Sequence, residues 1–175
     1  MAADAKAKAV VGVIMGSDSD YPVMAEAGRM LARFGIGFEV EVVSAHRSPA
    51  RAAEYAETAA GRGLKAIIVG AGGAAHLAGV VAALTTLPVI GVPMAATSLN
   101  GMDSLLATVQ MPGGVPVGTM GIGKPGAMNA GIFAAQILGA SDAQILRAVA
   151  QYKKELAAGV AEKNARLQRE LAGQK

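Results

Sequence analysis

The sequence has no cysteine and no tryptophan, and only 3% of its residues are aromatic. Without Cys, a disulfide framework, a thiolate nucleophile and a Cys-ligated zinc site are excluded. With three Phe and three Tyr, the stacking platform of a single-strand nucleic-acid binder is missing too. Charge is sparse: the net value is +3, and much of the basic excess lies at the ends (Lys6, Lys8, Lys153, Lys154, Lys163, Arg166, Arg169, Lys175). No nucleic-acid partner is expected. Residues 1–8 read as a disordered tail without the apolar core and cleavage site of a secretory leader, so a cytoplasmic protein is expected.

Between Lys65 and Lys124 the only formal charge is Asp103. Leu77 to Ala96 is apolar enough to suggest a membrane span, but Gly79, Thr85, Thr86, Pro88, Gly91 and Pro93 interrupt it at the rhythm of helix, loop and strand. A spanning helix needs about 20 continuous apolar residues, so no membrane association is expected. So uncharged a stretch is expected to be hidden between subunits.

What is abundant is small and aliphatic. Hydrophobic residues make up 53% of the 175, and there are 23 Gly. Such a composition fills space only where backbones approach closely. The length fits one domain.

Apolar strand runs alternate with helical segments. Ala9 to Met15 reads as a strand buried on both faces. A helix follows Gly16-Ser17-Asp18-Ser19-Asp20, with Asp20 as N-cap, Pro22 in its first turn and an apolar stripe of Met24, Ala27, Leu31 and Phe34. Phe38, Val40 and Val42 alternate with Glu39 and Glu41, which predicts a strand with a wetter glutamate face. Further strands are expected over 66–69, 89–92 and 115–120. Asp103 is placed as the cap of a short helix, Gly126 ahead of a helix ending near Leu138, and Ser141 as the cap of a long final helix. Alternation of this kind implies an α/β fold, a three-layer doubly wound parallel sheet of flavodoxin-like kind. Residues 9–140 form the expected domain. Residues 141–175 form a helix of about 45 Å at 1.5 Å per residue, too long for such a domain to cover, and its outer half is expected on a neighbouring subunit.

In such a sheet, ligands bind beyond the carboxyl ends of the strands. The unusual polar residues gather there. Loop one, 16–20, is neither a dinucleotide fingerprint nor a Walker A loop, yet its amides and hydroxyls suit a single phosphate and its carboxylates suit ribose hydroxyls. Asp18, Ser19 and Asp20 can equally serve as helix caps. Loop two, Ser44-Ala45-His46-Arg47, offers a guanidinium fork for phosphate and an imidazole able to give and take a proton near neutral pH; a structural histidine and a surface arginine are the alternative. Loop three, Gly70-Ala71-Gly72-Gly73-Ala74-Ala75-His76, presents bare backbone against which a flat ring or carbon dioxide can lie, or else glycines for packing and a capping His76. Asp18, Asp20, His46 and His76 could be imagined as a metal set, but no HxxxH-type spacing supports it and no metal is expected. The run 101–114 (GMDSLLATVQMPGG) is read as intersubunit packing, with Met102 and Met111 filling gaps.

Taken together, these loops with Gly101-Met102-Asp103-Ser104-Leu105-Leu106 and Val109-Gln110-Met111-Pro112-Gly113-Gly114-Val115-Pro116-Val117 closely resemble the PurE family, in order and spacing from about Val10 to Leu138. The resemblance implies a flavodoxin-like subunit of a homo-octamer with C-terminal helices reaching across neighbours. It also implies a mutase that converts N5-carboxyaminoimidazole ribonucleotide to 4-carboxy-5-aminoimidazole ribonucleotide in purine (IMP) biosynthesis, with no cofactor. On that resemblance His46 is the catalytic acid and base. Ser17 and Arg47 hold the 5′-phosphate, Asp20 the ribose end, and Gly72, Gly73 and His76 belong to the loop for ring and carboxyl group; Asp18 and Ser44 complete the expected substrate-binding set. A carboxylase using free carbon dioxide and a non-catalytic flavin- or nucleotide-binding module are the alternatives. Tyr21, Ser48, Ala78 and Val80 depart from the common pattern, where Trp, Thr, Pro and Met are frequent; they bear on the shape of the pocket.

Overall fold

The computed structural model describes residues 8–173, so all but Lys8 of the expected N-terminal tail lies outside the described residues. Five parallel strands, β1 (Val11–Met15), β2 (Phe38–Val42), β3 (Ala66–Gly72), β4 (Val89–Met94) and β5 (Gly118–Thr119), form one sheet in the order β2-β1-β3-β4-β5. The crossovers are α1 (Tyr21–Arg33), α2 (Pro49–Arg62), α3 (Leu77–Leu84) and α4 (Met102–Val109); α5 (Gly123–Gly139) and α6 (Ala143–Ala172) follow β5. This is the doubly wound α/β sandwich that the alternating pattern implies.

Period-two alternation along β1 builds two cores. Val11, Val13 and Met15 face α1 and α5, where Met24, Leu31, Ala130 and Ala134 close the layer. Ile14 points the other way, toward Tyr55 and Ala59 of α2 and Val81 of α3. The stripe Met24, Ala27, Leu31 and Phe34 is buried as its spacing predicts. Small residues set the helix spacing. A Cβ added to Gly131 of α5 would sit 2.7 Å from the Ala27 carbonyl of α1, so the two helices meet backbone to backbone.

Several local expectations are corrected. The wetter face of β2 is the valine face: Val40 and Val42 are exposed, whereas Glu39 and Glu41 lie half-buried under ion pairs with Arg62 and Arg51 of α2. β2 is the edge strand, and α2 reaches over its glutamate side through those ion pairs while the valine side stays open. β5 shrinks to Gly118–Thr119, because Pro116 lacks an N–H and the turn at Gly114 delays pairing with β4. Asp20 holds the N-cap position of α1 as expected but makes no side-chain capping bond, which Ser17 supplies to the short turn before it; Asp142, not Ser141, caps α6 by accepting from the amides of Gln144 (2.8 Å) and Ile145 (3.2 Å). Gly101 is the cap of α4, with Asp103 inside its first turn. α5 starts at Gly123, ahead of Gly126.

α6 runs for 30 residues, but Val149 is its only buried one among those described. Its first half is moored by the edge-to-face contact of Tyr152 with Phe34 and by the Arg33–Glu155 ion pair. Leu156, Val160, Leu167 and Leu171 are exposed, as are Leu99 in the turn before α4 and Met102, Leu106 and Val109 along it. Among the described residues no helix is long and apolar enough to cross a membrane; Leu77 to Ala96 divides into α3, a loop and β4.

Candidate active site

Loop one turns tightly after Met15. The Ser17 hydroxyl accepts from the Ser19 amide (3.3 Å) and from the Ser19 hydroxyl (2.8 Å), which leaves both serines at the rim of the strand end. The Asp18 carboxylate folds back onto the same turn, accepting from Ser17 Oγ and the Ser19 amide, and is exposed. Asp20 lies inward at 9% exposure. Burial pushes its carboxyl above the ordinary aspartate range, against the opposing pull of a backbone hydrogen bond at Ser17 and the Arg47 charge.

Loop two is clasped onto loop one. Ser44 Oγ accepts from the Arg47 amide (3.1 Å), and Arg47 Nη2 donates to the Gly16 carbonyl (2.7 Å), so the guanidinium bridges the first two strand ends. Ser48 does not cap α2 with its side chain. Its hydroxyl donates back to the Ser44 carbonyl (3.1 Å) and holds the bend in which His46 stands. The imidazoles of His46 and His76 meet nearly perpendicular, with Nε2 of His46 2.9 Å from Nδ1 of His76. In such a contact between two neutral rings, one nitrogen carries the hydrogen and the other accepts it.

Loop three supplies bare backbone. A Cβ on Gly72 would stand 2.7 Å from the Cβ of Ala96, in the loop after β4, and one on Gly73 would stand 3.6 Å from Thr97 Cγ2. A fourth strand end therefore joins the other three. Between them lies a cavity of about 330 Å³, within the size range of small-molecule sites. Loops one and two line it with polar groups (Ser17, Ser19, Asp20, Ser44, His46, Arg47), and loops three and four with Ala71, Gly72, Ala74, Leu77 and Ala96.

Of the residues singled out from sequence, Ser17, Asp20, Ser44, His46, Arg47 and Gly72 line this cavity. Asp18 and Gly73 are not in its lining, and His76 reaches the site through His46. Ser19 was legible only as a helix cap, and Ala96 not at all. The one signal for Ala96 is positional, since it follows β4 where that sheet end meets ligands. Tyr21, Ser48, Ala78 and Val80 stand outside the lining.

The arrangement can do definite chemistry. One side offers hydroxyls, a guanidinium and an inward carboxyl, together suited to a sugar phosphate. The other is uncharged and flat, suited to a ring or a neutral triatomic gas. An exposed imidazole stands between loops as a proton carrier.

Residues 10–159 match the profile of the family described as AIR carboxylase. The N5-carboxyaminoimidazole ribonucleotide mutase of Mycobacterium tuberculosis is 59% identical over 163 residues, covering 93% of this chain and 92% of the relative. The Thermotoga maritima protein of the same name is 56% identical over 158 residues, covering 90% and 91%. Among solved structures, that of Treponema denticola PurE superposes with a TM-score of 0.82 at 25% identity, over 90% of this chain and 97% of that one.

Proposed function

The chain belongs to the AIR carboxylase family, and we infer that it carries the activity for which its nearly full-length relatives are named, an intramolecular carboxyl transfer in purine biosynthesis. It is an isomerase acting on N5-carboxyaminoimidazole ribonucleotide and giving 4-carboxy-5-aminoimidazole ribonucleotide.

Ser17 and Arg47 take the 5′-phosphate, Ser19 and Ser44 add hydroxyl contacts, and Asp20 takes the ribose end. The imidazole ring lies against Gly72 and Ala74. His46 in its protonated form gives its proton to the carbamate nitrogen; the N–C bond breaks and carbon dioxide leaves the exocyclic amine. The ring C4 then attacks the trapped carbon dioxide, and His46, now neutral, removes the C4 hydrogen as a proton. One imidazole ends as it began, so the cycle needs no external acid, base or cofactor. His76, hydrogen-bonded to His46, holds that ring in orientation. The absence of charge on the loop-three side serves a neutral gas that must neither hydrate nor escape.

The observation that carries this reading is the convergence of Ser17, Asp20, His46 and Arg47 with Gly72 in one cavity. Residues 9–140 act as the catalytic domain, and residues 141–175 as a helix that packs on a neighbour in a cytoplasmic homo-octamer. The exposed apolar rows on α4 and on the outer half of α6 support that assembly.

A second reading, addition of free carbon dioxide to 5-aminoimidazole ribonucleotide, is favoured by the family's description alone. Feeding each nucleotide at low bicarbonate distinguishes them. Turnover of the carbamate without added bicarbonate is expected; turnover only of aminoimidazole ribonucleotide with bicarbonate would reject the mutase.

A further inference from the structure

Asp103 stands alone as a charge between Lys65 and Lys124, and it does not cap its helix, since Gly101 occupies that position. Its side chain is partly exposed, but one carboxylate oxygen faces inward, which is unfavourable unless something holds the group. What holds it is Thr97, whose hydroxyl donates to Oδ2 at 2.6 Å, while Oδ1 is buried without a hydrogen-bond partner among the described residues. The Thr97 hydrogen bond keeps the carboxyl below its ordinary range, outweighing partial burial and helped by the backbone amides of Ser104 and Asp103. The group is therefore an anion at working pH.

The same Thr97 organises the loop that follows β4. Its hydroxyl accepts from the Leu99 amide (3.2 Å) and its carbonyl from the Asn100 amide (3.1 Å). Asn100 itself sits at φ 51°, the only non-glycine in the left-handed region among the described residues. The helix end of the clamp is packed tight: the fully buried Ser104 hydroxyl has its one hydrogen between two acceptors, the carbonyls of Met94, the last residue of β4 (2.8 Å), and of Gly101 (2.9 Å). Immediately before Thr97 comes Ala96, which lines the cavity and would touch any side chain placed on Gly72.

We propose that Asp103 is a positioning residue for carboxyl transfer, acting through Thr97 to press Ala96 against Gly72 and so keep shut the uncharged wall behind the ring. Neither Asp103 nor Thr97 lines the cavity. Their effect is on confinement, not on proton transfer. The inference rests on the mutase reading above. It adds a class of failure that reading does not contain: turnover that loses its gas.

The test is a partition experiment with substrate carrying ¹³C in the carbamate carboxyl, run with the full-length protein in unlabelled bicarbonate. For Thr97→Val and Asp103→Asn, total substrate consumption is expected to stay within about threefold of the unaltered protein. The fraction of label lost to solution should rise about tenfold, a modest share of the hundredfold that a 1 Å misplacement can produce. Thr97→Ser, which keeps the hydroxyl, should restore retention of label. Thr97→Val keeps the wall's volume and stands in if Asp103→Asn fails to fold. Label retention equal to the unaltered protein in folded Thr97→Val overturns the positioning role while leaving the mutase reading intact. Failure of the unaltered protein to consume the carbamate overturns the activity, and this inference with it.

Discussion

Two imidazoles 2.9 Å apart share a single hydrogen, and that sharing decides what His46 presents to a substrate. If Nε2 is occupied by His76, only Nδ1 is free to act until the pair parts. Replacing His46 by Asn keeps a planar polar group but removes the titratable ring. The expected result is a loss of turnover of about 10²- to 10⁴-fold with substrate affinity nearly kept; steady-state kinetics beside a direct binding measurement checks it, and near-normal kcat would dismiss the acid–base role. Asp20 makes a different prediction. Its carboxyl pKa is raised by burial, so the folded chain binds that proton more tightly than the unfolded chain. The stabilising contribution is complete in acid and disappears as pH climbs through the folded value. Asp20→Asn should therefore raise the thermal midpoint at pH 7, with the gap closing as the buffer is acidified below the carboxylate range, while substrate affinity falls. A lower midpoint at pH 7 would contradict this. At this scale the polar half of the site was legible, because Ser17, His46 and Arg47 bear chemistry at strand ends. Ala96 bears none, and only three-dimensional proximity to Gly72 reveals it.

Helices α1 and α5 show how the small-residue composition acts as architecture. The Cβ introduced by Gly131→Ala would lie 2.7 Å from the Ala27 carbonyl and 2.9 Å from Met30 Cβ. Alanine favours the helix by up to about 1 kcal/mol, yet overpacking a tight core costs about 1–3 kcal/mol. A net loss on the order of 1 kcal/mol is expected, read as a lower denaturant midpoint at unchanged slope; an unshifted midpoint would show that the helices can separate freely. Elements with strong apolar periodicity, such as β1 and the Met24 to Phe34 stripe, were legible within a residue or two. Those decided by one backbone donor were not. Pro116 truncates β5, and Asp142 takes a cap that Ser141, one position earlier, could chemically have supplied.

The whole molecule leaves apolar side chains facing water in two rows. Leu99, Met102, Leu106 and Val109 border α4, and Leu156, Val160, Leu167 and Leu171 follow the far part of α6. Isolated exposed leucines are ordinary, but contiguous rows on a charge-poor chain call for a partner surface. Sedimentation at micromolar concentration should give a species well above a dimer, and Leu106→Asp should shift it toward smaller forms. A stable monomer in the unaltered protein would remove the intersubunit role of both rows.

Every residue from 161 to 173 in the last turns of α6 is exposed, so the backbone amides there rely on the helix itself for shielding. Deuterium uptake along that stretch therefore becomes a gauge of association that requires no nucleotide and no turnover. Fast exchange on dilution and slow exchange on concentration would trace the joining of copies peptide by peptide.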